Sequence, residues 1–182
     1  MTLADLYQQV ILDHAREQHG HGLGEAPEGA LVGQSRQVNP LCGDEVTLRV
    51  AVRGADAAAP DRVTDAVVED VSWIGEGCSI SQAATSVLHD LVVGRTVAQA
   101  QDRLAGFREM IRSRGQSVPD EELLGDAVAF AGVGRHANRV KCAMLGWTAF
   151  EAALQQVLDR LRSEMTSAAE PEAGRVRVEE AG

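Results

Sequence analysis

Asn39-Pro40-Leu41-Cys42-Gly43-Asp44 is a turn between two extended runs, and it carries a thiol and a carboxylate two residues apart. Pro40 withholds an amide donor and biases Asn39 toward extended backbone, so a strand arriving here has to end. Gly43 relaxes the backbone, which lets the Cys42 and Asp44 side chains converge on one point from alternate positions. Beyond the turn, Val46, Leu48 and Val50 alternate with Thr47 and Arg49 in the period of a half-buried strand. Val63 to Trp73 is a second β-branched run, with Val67, Val68 and Val71. With a short strand before Asn39, these runs predict a small three-stranded antiparallel sheet in which a long hairpin loop, Gly54 to Asp61, joins two strands.

The flanking segments have helical period. Leu3, Tyr7, Val10, Ile11 and His14 share one stripe of a segment running to about His19, and the glycines at 20, 22 and 24 with Pro27 then break regular structure. His14 reads as a satisfied packing residue, and His19 and His21 as solvated loop residues. Ile80, Ala83, Ala84, Val87, Leu88 and Leu91 form a second stripe, with His89 beyond it at the surface. Thr96 reads as the N-cap of a third helix burying Val97, Ala100, Leu104, Phe107 and Ile111. Pro119 opens a fourth, with Asp120, Glu121 and Glu122 where the dipole favours acid and Leu123, Leu124, Val128 and Phe130 turned inward. The last begins near Arg139 and carries Val140, Met144, Trp147, Leu154, Val157 and Leu161 on one face. The expected architecture is one α+β domain over residues 1–164, the sheet packed with about five helices. Residues 165–182, rich in Ala, Glu, Gly and Pro, read as a mobile acidic tail.

At 182 residues, 45% hydrophobic and 24% charged, the chain can bury a real core. A formal net charge of −10 makes the electrostatic attraction on which nucleic-acid affinity rests repulsive, so nucleic acid is not an expected partner. No apolar run approaches the roughly 20 residues that span a bilayer, and Asp5 and Asp13 stand where a secretory signal would be basic or apolar. A cytoplasmic chain with no membrane partner is expected. In a reducing compartment its three cysteines, which cannot all pair, stay thiols.

Those thiols are Cys42, Cys78 in Gly75-Glu76-Gly77-Cys78-Ser79, and Cys142 in Arg139-Val140-Lys141-Cys142-Ala143. Three thiolates and Asp44 make a four-ligand set for zinc, and cysteine also anchors iron–sulfur clusters. Spacing alone leaves the alternative that the cysteines are small buried hydrophobes and that Asp44 caps its own turn. Cys78 opens a helix, where unpaired amides and the positive dipole end favour a thiolate. His136 is an alternative fourth ligand in place of Asp44. Arg139 and Lys141 gain nothing from the dipole at a helix start, which leaves a role beside the thiolates or a partner, or plain solvation.

Cys-Gly-Asp, then Gly-x-Gly-Cys-Ser opening an alanine- and serine-rich helix, then Arg-x-Lys-Cys-Ala before a tryptophan-bearing helix, resembles the U-type iron–sulfur cluster assembly proteins, within which it is similar to the SufU branch. The resemblance runs from about Leu6 to about Leu158, through Tyr7 to His14 and Glu121 to Asp126. The helix after Thr96 is a hallmark of that branch, and Lys141 stands where the IscU branch has a histidine. Arg135-His136-Ala137-Asn138 and Arg16-Glu17-Gln18-His19 depart from the branch's usual residues. The resemblance implies a zinc-dependent sulfur acceptor that takes persulfide sulfur on Cys42 from a SufS-like cysteine desulfurase and passes it to downstream iron–sulfur assembly machinery, with Arg139 steadying the partner. The wider family implies instead a scaffold that holds a transient iron–sulfur cluster on Cys42, Cys78 and Cys142. A structural zinc module without sulfur chemistry is the third reading.

Overall fold

The alternating run after the turn is the middle strand of the sheet, and the rest of the chain is laid around it. The structure, a computed structural model, describes residues 1–54 and 60–168. In chain order its elements are α1 (Leu3–Glu17), β1 (Leu31–Asn39), β2 (Asp44–Arg53), a 3-10 segment (Pro60–Asp65), β3 (Val67–Glu76), α2 (Ser79–Val92), α3 (Val97–Arg112), α4 (Glu121–Leu124), a second 3-10 segment (Gly125–Arg135) and α5 (Ala137–Ala168). This is the expected α+β arrangement, five helices around a three-stranded antiparallel sheet of order β1-β2-β3. Residues 55–59 of the expected hairpin loop and residues 169–182 of the expected acidic tail lie outside the described residues.

Register follows from the alternation. Asn39 pairs with Asp44 across the turn, and Leu48 with Trp73 across β2 and β3. Val46, Leu48 and Val50 are buried, while Thr47 and Arg49 between them are half-buried, so a slip of one residue would turn the whole apolar set outward. α5 lies across β1 and β2 and also packs against α2, which in turn carries α1. Trp147 of α5 stacks on Phe107 of α3 with ring centroids 4.3 Å apart, and Phe130 meets Phe107 edge-on at 5.9 Å. Two helix starts are capped as their residues dictate: Thr2 with Asp5 on α1 and Thr96 with Gln99 on α3 both close capping boxes.

Several boundaries differ from the sequence reading. β1 runs for nine residues rather than a short strand, because all of it pairs with β2. The helix expected from Pro119 is α-helical for four residues only, behind the N-cap Asp120, and continues from Gly125 as 3-10 turns that still bury Val128 and Phe130. His89 is half-buried, its Nδ1–H donating to the Val71 carbonyl at 2.7 Å. His14 is buried and hydrogen-bonded, as its place on the apolar stripe requires. Among the described residues no helix is long and apolar enough to cross a membrane.

Candidate metal centre

Three separate parts of the chain meet at the turn of the β1–β2 hairpin. Asn39 organises the turn: its carbonyl accepts the amides of Cys42 at 3.3 Å and Gly43 at 2.9 Å, and its Oδ1 accepts the Leu41 amide at 3.2 Å. Gly43 has φ +72, in the left-handed region that a glycine enters without steric cost. Cys42 is thereby exposed at the tip, while Asp44, the first residue of β2, is only 2% exposed.

The approach from β3 brings the second thiol. Cys78 is the N-cap residue of α2 and is exposed. Its amide donates to Asp44 Oδ1 at 3.1 Å, and its Sγ lies 3.5 Å from Asp44 Oδ2. Gly77 makes this contact possible, since a Cβ there would stand 2.5 Å from Ser81 Oγ and 3.0 Å from the Asp44 carboxylate. No side chain caps α2. The dipole and free amides at its start therefore act on the Asp44 carboxylate and the Cys78 sulfur.

Cys142 comes from α5, where it is the sixth residue and buried. The sequence places it near the helix start; the structure places it in the second turn, where its thiol hydrogen-bonds back to the Asn138 carbonyl at 3.5 Å and the dipole helps little. Its Sγ lies 3.5 Å from Cys42 Sγ, and Asn39 Nδ2 donates toward it at 3.8 Å. Burial first, then hydrogen bonding with Asp44, Cys42 and Cys78 and the charge of Cys78, push the Cys142 thiol well above the usual cysteine range.

The donor set matches a divalent cation. Cys42, Asp44 and Cys142 offer donor atoms all within 4.8 Å of one another, and Cys78 joins that trio through Asp44. Around tetrahedral zinc, bond lengths of about 2.3 Å to sulfur and 2.0 Å to oxygen put sulfurs about 3.8 Å apart and sulfur and oxygen about 3.5 Å apart. The observed 3.5 Å separations are close to both. Asp44 is a buried acid, and among the described residues it forms no salt bridge with a lysine or arginine, so a bound cation would supply the compensation that burial demands.

Arg139 is exposed in the first turn of α5 and lines a groove of about 550 Å³ together with Cys78, Ile11, Leu12 and Ile80. His136 is exposed on the same wall and stands outside the trio. Two residues around the thiols escaped the sequence reading as contributors. Asn39 reads there only as a strand end, although Asn-Pro before a turn is a signal for side-chain capping. Ser81 donates to the Cys78 carbonyl at 2.9 Å and sits 3.8 Å from its sulfur, and its place three residues after an N-cap was the available sign.

Comparison with known proteins agrees with this geometry. Residues 6–143 match the NifU-like N terminal domain. The chain is 32% identical over 154 residues to the iron-sulfur cluster assembly scaffold protein IscU of Streptococcus pyogenes serotype M1, covering 85% of this chain and 86% of that one. It is 33% identical over 150 residues to the zinc-dependent sulfurtransferase SufU of Bacillus subtilis strain 168, covering 82% and 90%. The crystal structure of an iron–sulfur cluster assembly scaffold protein for the SUF system, SufU from Fervidobacterium islandicum AW-1, superposes with a TM-score of 0.63 at 30% identity, over 84% of this chain and 99% of that one. With three cysteines and a buried aspartate gathered at the end of its sheet, the chain belongs to the NifU-like N-terminal domain family, the IscU and SufU family of iron–sulfur cluster assembly scaffold proteins.

Proposed function

We propose that this chain is a cytoplasmic sulfur acceptor that takes persulfide sulfur from a cysteine desulfurase on Cys42 and hands it to iron–sulfur cluster assembly. Cys42, Asp44, Cys78 and Cys142 would hold zinc. The observation that carries the reading is the unequal exposure of two touching thiols: Cys42 is exposed at the hairpin tip, while Cys142, 3.5 Å away, is buried. A partner can reach the first without unpacking α5. The relative named a zinc-dependent sulfurtransferase, at 33% identity, supports the same reading.

In the transfer, the Cys42 thiolate attacks the outer sulfur of the desulfurase persulfide. The donor S–S bond breaks, its electron pair leaves on the desulfurase cysteine as a thiolate, and a new S–S bond joins the outer sulfur to Cys42. Oxidation state is conserved, so no outside oxidant is required. Zinc held by these residues would keep their thiolates deprotonated and lower their reactivity. The Asn39 carbonyl holds the turn that presents Cys42, Asp44 anchors Cys78 through its amide, and Arg139 offers a cation to the partner from the groove wall.

A second reading is a scaffold that assembles a cluster on the same three cysteines. The proximity of the Cys42 and Cys142 sulfurs and the relatives named scaffold proteins favour it. Metal analysis of protein isolated without oxygen, followed by mixing each single Cys→Ser variant with desulfurase and cysteine, separates the two. Zinc in the isolated protein and persulfide on Cys42, lost only in Cys42→Ser, is the expected result. A stoichiometric iron–sulfur chromophore without zinc moves the assignment to the scaffold, and persulfide forming normally on Cys78 or Cys142 in Cys42→Ser refutes the role given to Cys42.

A further inference from the structure

Away from the cysteines, the end of α1 meets the middle of α2 through a second set of ligating side chains. His14, His19 and Asp90 offer donor atoms all within 4.8 Å of one another. His14 is buried on α1, with Nδ1 2.9 Å from Ser86 Oγ and Nε2 3.2 Å from Asp126 Oδ2. His19 follows α1, with Nδ1 2.6 Å from Asp90 Oδ2 and Nε2 3.0 Å from Glu17 Oε2. The two rings lie edge to face with centroids 5.2 Å apart.

Each imidazole therefore has a carboxylate on its Nε2, the arrangement that fixes the tautomer of a ligating histidine and leaves the other nitrogen a lone pair. The Nδ1 edges face Ser86 and Asp90, which are four residues apart and so share one side of α2. His19 is held in place at its backbone: its amide donates to Ser86 Oγ at 2.9 Å, and its carbonyl accepts Trp73 Nε1–H at 2.8 Å. With Glu17 accepting the Nε2 proton, the short contact from His19 Nδ1 to Asp90 joins two acceptors and requires a cation between them, either a proton or a metal ion.

We propose that His14, His19 and Asp90 form a second divalent-cation site of the zinc class, separate from the cysteine centre. Two imidazoles and a carboxylate are a recognised set for zinc, with water in the fourth position. Ser86, whose hydroxyl now engages His14 Nδ1, keeps its bond from the His19 amide and gives up the other. The ion would clasp the end of α1 to α2. Asp126 is a positioning residue, acting through His14.

The test uses the full chain, reduced and stripped of metal, titrated with zinc and in parallel with cobalt(II). The expected result is that wild type binds one more equivalent than His19→Ala or Asp90→Asn. The near-ultraviolet thiolate-to-cobalt absorption, which reports the cysteines alone, stays the same in all three. Asp126→Asn weakens the additional equivalent by about 10- to 100-fold without abolishing it. Melting of the stripped proteins shows that the variants fold, since His19 and Asp90 are not core residues. Equal stoichiometry in wild type and both variants overturns the proposal. The inference does not rest on the sulfur-transfer reading, because loss of the thiolate band would count against the cysteine centre while the one-equivalent difference would still stand.

Discussion

Asp44→Asn separates the two demands that the buried carboxylate meets. The substitution keeps an oxygen to accept the Cys78 amide, now at 3.1 Å, and keeps the shape of a side chain that is only 2% exposed, but it removes the charge. In metal-stripped protein the charge is a burden, because a buried carboxylate without a counter-ion is unfavourable, so the variant should melt at or above the wild-type temperature. In zinc-loaded protein the order reverses. At a free zinc concentration a thousandfold above Kd, binding to the native state adds about 4.1 kcal/mol, and a hundredfold loss of affinity cuts that to about 1.4 kcal/mol. For a domain of this size 1 kcal/mol moves the melting temperature by about 2–4 °C. The zinc-induced rise should therefore shrink from about 8–16 °C to about 3–6 °C. Differential scanning calorimetry of both proteins, with zinc and after verified chelation, gives all four values. An undiminished zinc shift in Asp44→Asn would show that this carboxylate is no ligand. A stripped variant clearly less stable than stripped wild type would show that the buried charge is not a burden in the metal-free protein.

Gly77→Ala places a Cβ within 2.5 Å of Ser81 Oγ and 3.0 Å of the Asp44 carboxylate, so it should loosen the Asp44 to Cys78 contact and speed zinc loss to a chelator at least tenfold, about the size of a disturbed supporting shell; an unchanged release rate would show that the site tolerates the shift. His19 is raised above its ordinary 6.5 chiefly by its hydrogen bond to Asp90, so in stripped protein the stabilisation from this pair is full below about pH 6.5 and is lost as pH rises through the raised value. Asp90→Asn should accordingly lower stability by about 0.5–1 kcal/mol at pH 5.5, discounted for solvent exposure, with the difference fading as pH rises through that raised value. A gap independent of pH would mean that the imidazolium is not the species that Asp90 holds.

Much of the fold is written in local pattern. Alternation of Val46, Leu48 and Val50 with Thr47 and Arg49 allows one strand orientation against a core, and the stripe carrying Trp147, Leu154, Val157 and Leu161 allows one helix face; both are satisfied in the structure. Where the pattern misled, a competing local preference won: after Leu124 the chain leaves α geometry at Gly125, and tightened turns bury Val128 and Phe130 just as well. The cysteine motifs were legible for the same reason, because a glycine turn beside Cys42 and a glycine approach to Cys78 are properties of neighbours in the chain.

Local sequence is enough to fix the backbone that presents the candidate ligands: an Asn-Pro-started turn for Cys42 and Asp44, a helix start for Cys78, and an apolar helix for Cys142. The burial of Cys142 beneath an exposed Cys42 arises only in the folded chain, since it depends on α5 lying across β1 and β2. Folding likewise joins His14 and His19, which read as packing and solvated residues, to Asp90, which carried no signal at all. A side chain's solvation and partners are set where elements cross. The free energy that fixes the crossing of α1 on α2 is spread over many apolar contacts, none of which names the polar groups it brings together.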